Sequence, residues 1–287
     1  MSNAAPVQLR QVRDFEQTLG DAIAFVRQNG AVLVRAVVLI AIVPMVLYGA
    51  VNGWMLLYPS DPAPTDIWAV NREIWSTVGI MYIPFAIGRA LVNCVTLQYL
   101  RAYLLKEHRT LTTSDLLVTS LRGFLPYLVI LVFTWGLGIL GAFLCILPGL
   151  YLLNIFVLTG VVFTVERSGV GNAIGRSVSL AHSGFWPLLG LCTSLVVVSY
   201  LLSLAFNLPA LLFSGIEEFW QPGFDGSPDL PMWKVVISSA WTSIAGILQE
   251  VVHTVVVVAI SLRYFSIVER SQGVGLKEKL AGFDTVA

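Results

Sequence analysis

The chain has 287 residues, of which 56% are hydrophobic and only 12% charged, with a formal net charge of zero. A soluble domain carries roughly twice that charged fraction, so the composition excludes a water-soluble globule and points to a polytopic membrane protein from end to end. The three cysteines, Cys94, Cys145 and Cys192, all fall inside apolar runs, which excludes a disulfide framework or a spaced metal site and makes core packing their expected role.

In chain order, residues 1–6 are expected to be disordered, and they lack the basic start, apolar run and small-residue cleavage site of a signal peptide. Val12, Phe15, Leu19, Ile23 and Val26 then recur at helical steps, with Asp14, Glu16, Gln17, Asp21 and Arg27 on the other side. This amphipathic helix fits two settings equally well: the membrane surface, or the protein's own cytoplasmic loops. Residues 1–29 are therefore read as a cytoplasmic N-terminal helix, 30–268 as a six-span transmembrane domain and 269–287 as a cytoplasmic tail.

The first span is read over 31–58, with Arg35 near its entrance where a long side chain can snorkel. A loop containing proline and aspartate covers 59–71, and the second span, 75–100, is expected to kink or open at Pro84. After a polar connection at 101–122, the third span is 124–147, where Gly136, Gly138 and Gly141 allow close helix approach. Pro148-Gly149 reads as a corner at a membrane face, and the fourth span, 150–165, ends at Glu166-Arg167. Residues 169–183 place Val170, Ala173, Ile174, Val178 and Ala181 at roughly helical spacing between polar residues, the pattern of a segment lying on the bilayer. The fifth span is 186–213, an acidic loop covers 214–231, and the sixth span is 232–262. The polar tail carries an apolar-spaced segment around Leu276 and Leu280.

Leu147-Pro148-Gly149-Leu150-Tyr151, then Glu166, then Ala173-Ile174 with Arg176-Ser177, Leu180, Gly184 and Trp186, resembles the signature of a bacterial membrane family. That family is named after the membrane domain of glycerophosphoryl diester phosphodiesterases. The resemblance covers about 40 residues, with weaker echoes at both ends of the chain, such as the run from Arg13-Asp14-Phe15 to Asn29. It implies a six-helix protein of the bacterial cytoplasmic membrane, and structural roles for Pro148, Gly149, Glu166, Arg176, Ser177 and Gly184. Some relatives join this domain to a soluble phosphodiesterase barrel, for which this chain has no room.

Orientation follows from the basic residues. Under the six-span reading Arg10, Arg13, Arg27, Lys106, Arg109, Arg122, Arg167, Arg176, Arg270, Lys277 and Lys279 fall on one side, and only Arg72 and Lys234 on the other. Cytoplasmic loops carry the Lys/Arg excess, so both termini are expected to be cytoplasmic. Trp54, Trp68, Trp75, Trp220 and Trp233 gather at the opposite boundary, as an interfacial aromatic belt does.

Two ionisable residues lie deep in apolar spans. Arg89 is about 21 and 18 Å from Trp75 and Arg101 at the helical rise, and Glu250 about 25 and 20 Å from Trp233 and Arg263. A lone charge at mid-bilayer costs at least about 2.5–3.5 kcal/mol. The matched depths therefore predict that Arg89 and Glu250 face each other or share a water-filled cavity. Asn93, Gln249 and His253 lie within a turn of them and extend a polar stripe. Two readings stand: an internal ion pair that fixes helix register, or a transport path, proton relay or headgroup site.

No zinc-binding His-Glu-x-x-His helix, nucleophile elbow or phosphate-cradling loop is present, and Gly169, Gly171 and Gly175 lack the spacing of a dinucleotide fingerprint. His108 and His182 have no acidic cluster beside them, as a metal-dependent phosphodiesterase would need. The expectation is a non-enzymatic accessory, scaffold or membrane-organising protein with no cofactor, metal or nucleic acid. Its partners would be membrane lipids, other membrane proteins or further copies of itself. The alternative is a transporter or lipid-handling protein with its site around Arg89 and Glu250.

Overall fold

A computed structural model describes residues 6–58, 67–144, 146–213 and 231–273, with the backbone alone for 67–78, 109, 139, 142–144 and 146. Residues 1–5, Cys145, Trp220, the acidic residues expected in the outer loops, and the segment around Leu276 and Leu280 lie outside the described residues, as do the side chains of Trp68, Arg72 and Trp75.

The helices are α1 (Phe15–Leu57), α2 (Ile67–Leu104), a 3-10 turn (Glu107–Arg109), α3 (Thr113–Arg122), α4 (Phe124–Leu144), α5 (Ile146–Phe156), α6 (Thr159–Val165), α7 (Val170–Ser183), α8 (Phe185–Phe213) and α9 (Met232–Gln272). No strand occurs among the described residues. In hydrocarbon each backbone N–H and C=O must find its partner inside the segment, which leaves the helix as the form open to such apolar runs. Among the described residues, five helical stretches are long and apolar enough to cross a membrane, or six if α3 and α4, bent by 61°, make one span.

Several boundaries differ from the sequence reading. The N-terminal amphipathic helix and the first span are one helix, α1, because nothing at Asn29-Gly30 breaks the backbone bonding. Thr18, Ala22, Phe25 and Val26 form its buried face there, whereas Val12, Phe15 and Ile23, expected on one apolar side with Val26, are exposed. Pro148 and Gly149 are not a corner but lie in the first turn of α5, where a proline loses no helical hydrogen bond. The fourth span is broken between α5 and α6. The last helix runs on through Arg263 to Gln272, so the first residues of the expected tail are helical. The polar connection 101–122 holds α3, opened by a capping box in which the Thr112 hydroxyl accepts the Asp115 N–H and the Asp115 carboxylate accepts the Thr112 N–H.

The chain falls into two compact units. One is built from Met1–Val37, Asn93–Val197 and His253–Ala287, the other from Val38–Val92 and Val198–Val252. In the second unit, α1 buries Ala41, Met45, Gly49 and Gly53, spaced by four residues, while Val43, Val46 and Leu47 face outward. Met45 is fully buried and fills the space left by Gly88 of α2 and Gly246 of α9; a Cβ on Gly246 would lie 2.8 Å from its sulfur. Gly49 and Gly53 meet Ser239 and Ser243 of α9. Small residues four apart on both helices let the two backbones close, which is the packing that holds helices together in lipid. Across to α8, Trp241 Nε1 donates to the Phe206 carbonyl at 2.7 Å and Ser238 Oγ to the Ala210 carbonyl at 3.3 Å.

In the first unit, α4 and α5 form an antiparallel hairpin. A Cβ on Gly141 would lie 2.8 Å from Gly149 Cα, and one on Gly138 would collide with Leu153, so these two third-span glycines do permit close approach, whereas Gly136 has nothing within 4 Å. Phe25 of α1 packs edge-on against Tyr99 and Tyr103 of α2. Arg13, one of the topology charges, is 1% exposed. Its Nε pairs with Asp21 at 2.7 Å, its Nη1 donates to the Leu9 carbonyl, and its N–H donates to Ser266 Oγ of α9. The residues ahead of α1 are therefore pinned to the protein by one buried guanidinium. Cys94 is buried with its thiol 3.1 Å from the Ser120 carbonyl, and Cys192 is half-buried.

Candidate functional site

The deep polar residues resolve into two pairs. In the second unit, Arg89 Nε of α2 lies 3.3 Å from Glu250 Oε1 of α9, with the side chains 15% and 0% exposed. The contact expected from their matched depth is present. The Arg89 guanidinium also sits 4.8 Å above the centre of the Phe85 ring, one turn back on α2, where the ring face attracts a cation. In the first unit, His253 Nε2 and Asn93 Oδ1 are 2.8 Å apart. A carboxamide oxygen only accepts, so that ring nitrogen carries the proton. Gln249 is half-buried and joins neither pair.

The residues singled out by the signature segment form a second constellation, within the first unit. Glu166, at the end of α6, receives Arg176 Nε of α7 at 3.3 Å and the Tyr264 hydroxyl of α9 at 2.8 Å. Ser177 Oγ, fully buried, donates to the Ile155 carbonyl of α5 at 2.8 Å. Tyr151 and His182 bind each other at 3.0 Å. His182 Nδ1 faces the Val178 carbonyl at 2.7 Å and so must be its donor, which leaves Nε2 to accept from Tyr151. A Cβ on Gly184 would lie 3.2 Å from two Ile267 carbons, so glycine there lets α9 lie against the α7–α8 junction. Gly149, in the first turn of α5, lies against Gly141 of α4, while Pro148 beside it is exposed. Gly149, Glu166, Arg176, Ser177 and Gly184 thus each fasten one helix to a neighbour. Tyr264, only 3% exposed, was missed in the sequence because nothing local marks a tyrosine as the third member of an Arg–Glu pair. Tyr264→Phe is expected to lower stability by about 1.5–3 kcal/mol, the worth of a hydrogen bond to a charged acceptor, measured by thermal unfolding in detergent micelles.

Beside this lock is a cleft of about 470 Å³, lined by Gly184, Phe185 and Trp186 at the start of α8 and by Arg263, Ile267 and Arg270 of α9. Arg263 and Arg270 were read from the sequence only as a span boundary and a topology charge. The signal that could have flagged them is their seven-residue spacing, which puts both on one face of a helix continuing past the apolar run. Among the described residues, no group of three His, Cys, Asp or Glu side chains is placed to hold a metal ion.

These features define a class, the polytopic all-α membrane protein, with Arg89 and Glu250 paired between α2 and α9 and apolar side chains such as Val43, Leu201 and Leu204 turned outward. Comparison of the chain with family models, curated proteins and solved structures finds no match.

Proposed function

We propose that the protein is a non-enzymatic component of the bacterial cytoplasmic membrane, acting as an accessory, scaffold or membrane-organising subunit that contacts lipids or partner proteins, with both termini cytoplasmic. The observation that carries this reading is the closed Arg89–Glu250 pair. A carboxylate that is 0% exposed and already against a guanidinium offers nothing to a passing solute, whereas it does fix the register of α2 against α9. The resemblance to the phosphodiesterase-associated membrane family agrees with this reading, because Gly149, Glu166, Arg176, Ser177 and Gly184 of its signature serve here as helix fasteners. The exposed Val12, Phe15 and Ile23 of the N-terminal region supply apolar surface for a bilayer or a partner.

Two measurements test the proposal. The purified protein in liposomes should give no ion or small-solute flux above protein-free vesicles; flux abolished by Glu250→Gln would replace the proposal with transport. With Cys94, Cys145 and Cys192 replaced by alanine, Tyr58→Cys should react with a membrane-impermeant maleimide in intact cells, and Lys106→Cys only after lysis. The reverse pattern would invert the orientation, since the basic loops would then lie outside.

A further inference from the structure

The cleft at the start of α8 contains a buried cation with no anion beside it among the described residues. Arg263 is 5% exposed, and its Nε has no hydrogen-bond partner among the described residues. Arg270 lies two turns further along α9, lines the same cleft and, like Arg263, is in no ion pair among the described residues. A buried guanidinium cannot discharge itself by losing a proton, and leaving it unpaired costs several kcal/mol. A second positive charge beside it makes the arrangement worse unless an anion is supplied.

The other groups around the cleft point the same way. Phe185 and Trp186 open the 29-residue helix α8, and their N–H groups precede the first helical bond, which Leu188 makes to the Gly184 carbonyl. Unpaired amides at the positive end of a long helix favour a bound anion. The remaining polar side chains are already engaged: Ser183 Oγ donates to the Leu180 carbonyl, Ser271 Oγ to the Ile267 carbonyl, and both His182 nitrogens are occupied. Among the described residues, no carboxylate lines the cleft. The site therefore presents two arginines and two backbone amides, a set suited to an anion with several oxygens, and arginine binds phosphate oxygens in pairs. The volume exceeds that of one phosphate, leaving room for a glycerol-sized substituent. Trp186, 77% exposed at the rim, is the kind of side chain that settles at a headgroup boundary.

We propose that this cleft is a phosphate-binding site, its ligand being either the phosphodiester of an anionic lipid headgroup or a small soluble phosphate. The lipid form rests on the lipid-contacting role proposed above and gives that role a place and a chemistry.

The test is native mass spectrometry of the protein in neutral detergent, titrated with phosphatidylglycerol and separately with phosphatidylcholine, together with thermal unfolding in inorganic phosphate against chloride at equal ionic strength. Arg263→Gln and Arg270→Gln should each weaken phosphatidylglycerol binding about tenfold, while Arg122→Gln, an exposed charge on α3 outside the cleft, should leave it unchanged. Arg-dependent phosphatidylglycerol binding that inorganic phosphate does not displace assigns the site to a lipid. Stabilisation by phosphate that both cleft variants abolish assigns it to a soluble ligand. If Arg263→Gln does not fold, the exposed Arg270 decides alone. Unchanged binding of phosphatidylglycerol and unchanged response to phosphate in Arg270→Gln would overturn the proposal. Solute flux in liposomes with Arg-dependent lipid binding intact would refute the scaffold reading and leave this site standing.

Discussion

Glu250→Ala should be the more damaging of the two substitutions at the deep ion pair, lowering stability by about 3–5 kcal/mol, the range found when one partner of a buried pair is removed. The two residues are not equivalent. Arg89→Ala leaves a carboxyl group, which can neutralise itself by binding a proton. Glu250→Ala leaves a guanidinium that cannot, 15% exposed and held over Phe85. Arg89→Ala should therefore cost less, about 2–3 kcal/mol. The double alanine variant should fall short of the sum by about 1–3 kcal/mol, because the second substitution removes the group that the first left unpaired. An apolar replacement of both, Arg89→Met with Glu250→Leu, should come close to the parent stability. Reversible unfolding in mixed micelles measures all four. Strict additivity of the two alanine substitutions would show that the pair contributes no coupling.

The second large effect is expected at Gly49. A Cβ there would collide with the Ser239 carbonyl oxygen as well as the Ser243 hydroxyl. The hydroxyl can rotate away; the carbonyl belongs to the α9 backbone and cannot. Gly49→Val must push α1 and α9 apart along the face where Met45 and Gly53 also pack, and should cost about 3 kcal/mol, the upper end of overpacking penalties. Gly53→Ala meets the Ser239 side chain instead, which can change rotamer, so a loss of about 1 kcal/mol is expected. Gly79 of α2 has nothing within 4 Å, and Gly79→Ala should be neutral or slightly stabilising, by up to about 1 kcal/mol. Thermal melting in one detergent orders the three. A Gly49→Val protein as stable as the parent would mean that α1 and α9 do not pack through these residues.

How far the site could be read from the chain differs from residue to residue. Arg89 and Glu250 announce themselves, because a charge in the middle of an apolar run must find a partner and only one opposite charge lies at its depth. Glu166, Arg176 and Ser177 could be picked out as a group, yet their contacts with Tyr264 and the Ile155 carbonyl could not. The Gly49–Gly53 and Ser239–Ser243 repeats were both visible as small residues four apart, but that spacing is common in apolar helices, and only their apposition gives it meaning. The burial of Arg13, counted as a topology charge, and of Arg263, taken as a span boundary, could not be read from the chain, because burial of a basic residue depends on what folds over it.

Composition and the lengths of the apolar runs thus determined by themselves that this is an all-helical, multi-pass protein with a charge pair at depth, since hydrocarbon tolerates little else: each segment must satisfy its own backbone, and each ion needs a counter-ion nearby. Helix ends were decided only by tertiary structure. Pro148-Gly149 became the opening of α5, residues 15–57 became one rod, and α9 outran its apolar stretch to bring Arg263 and Arg270 beside the start of α8. The cause is that a local sequence sets the preference for helix, whereas where a helix stops and what its last turns touch depend on neighbours distant in the chain.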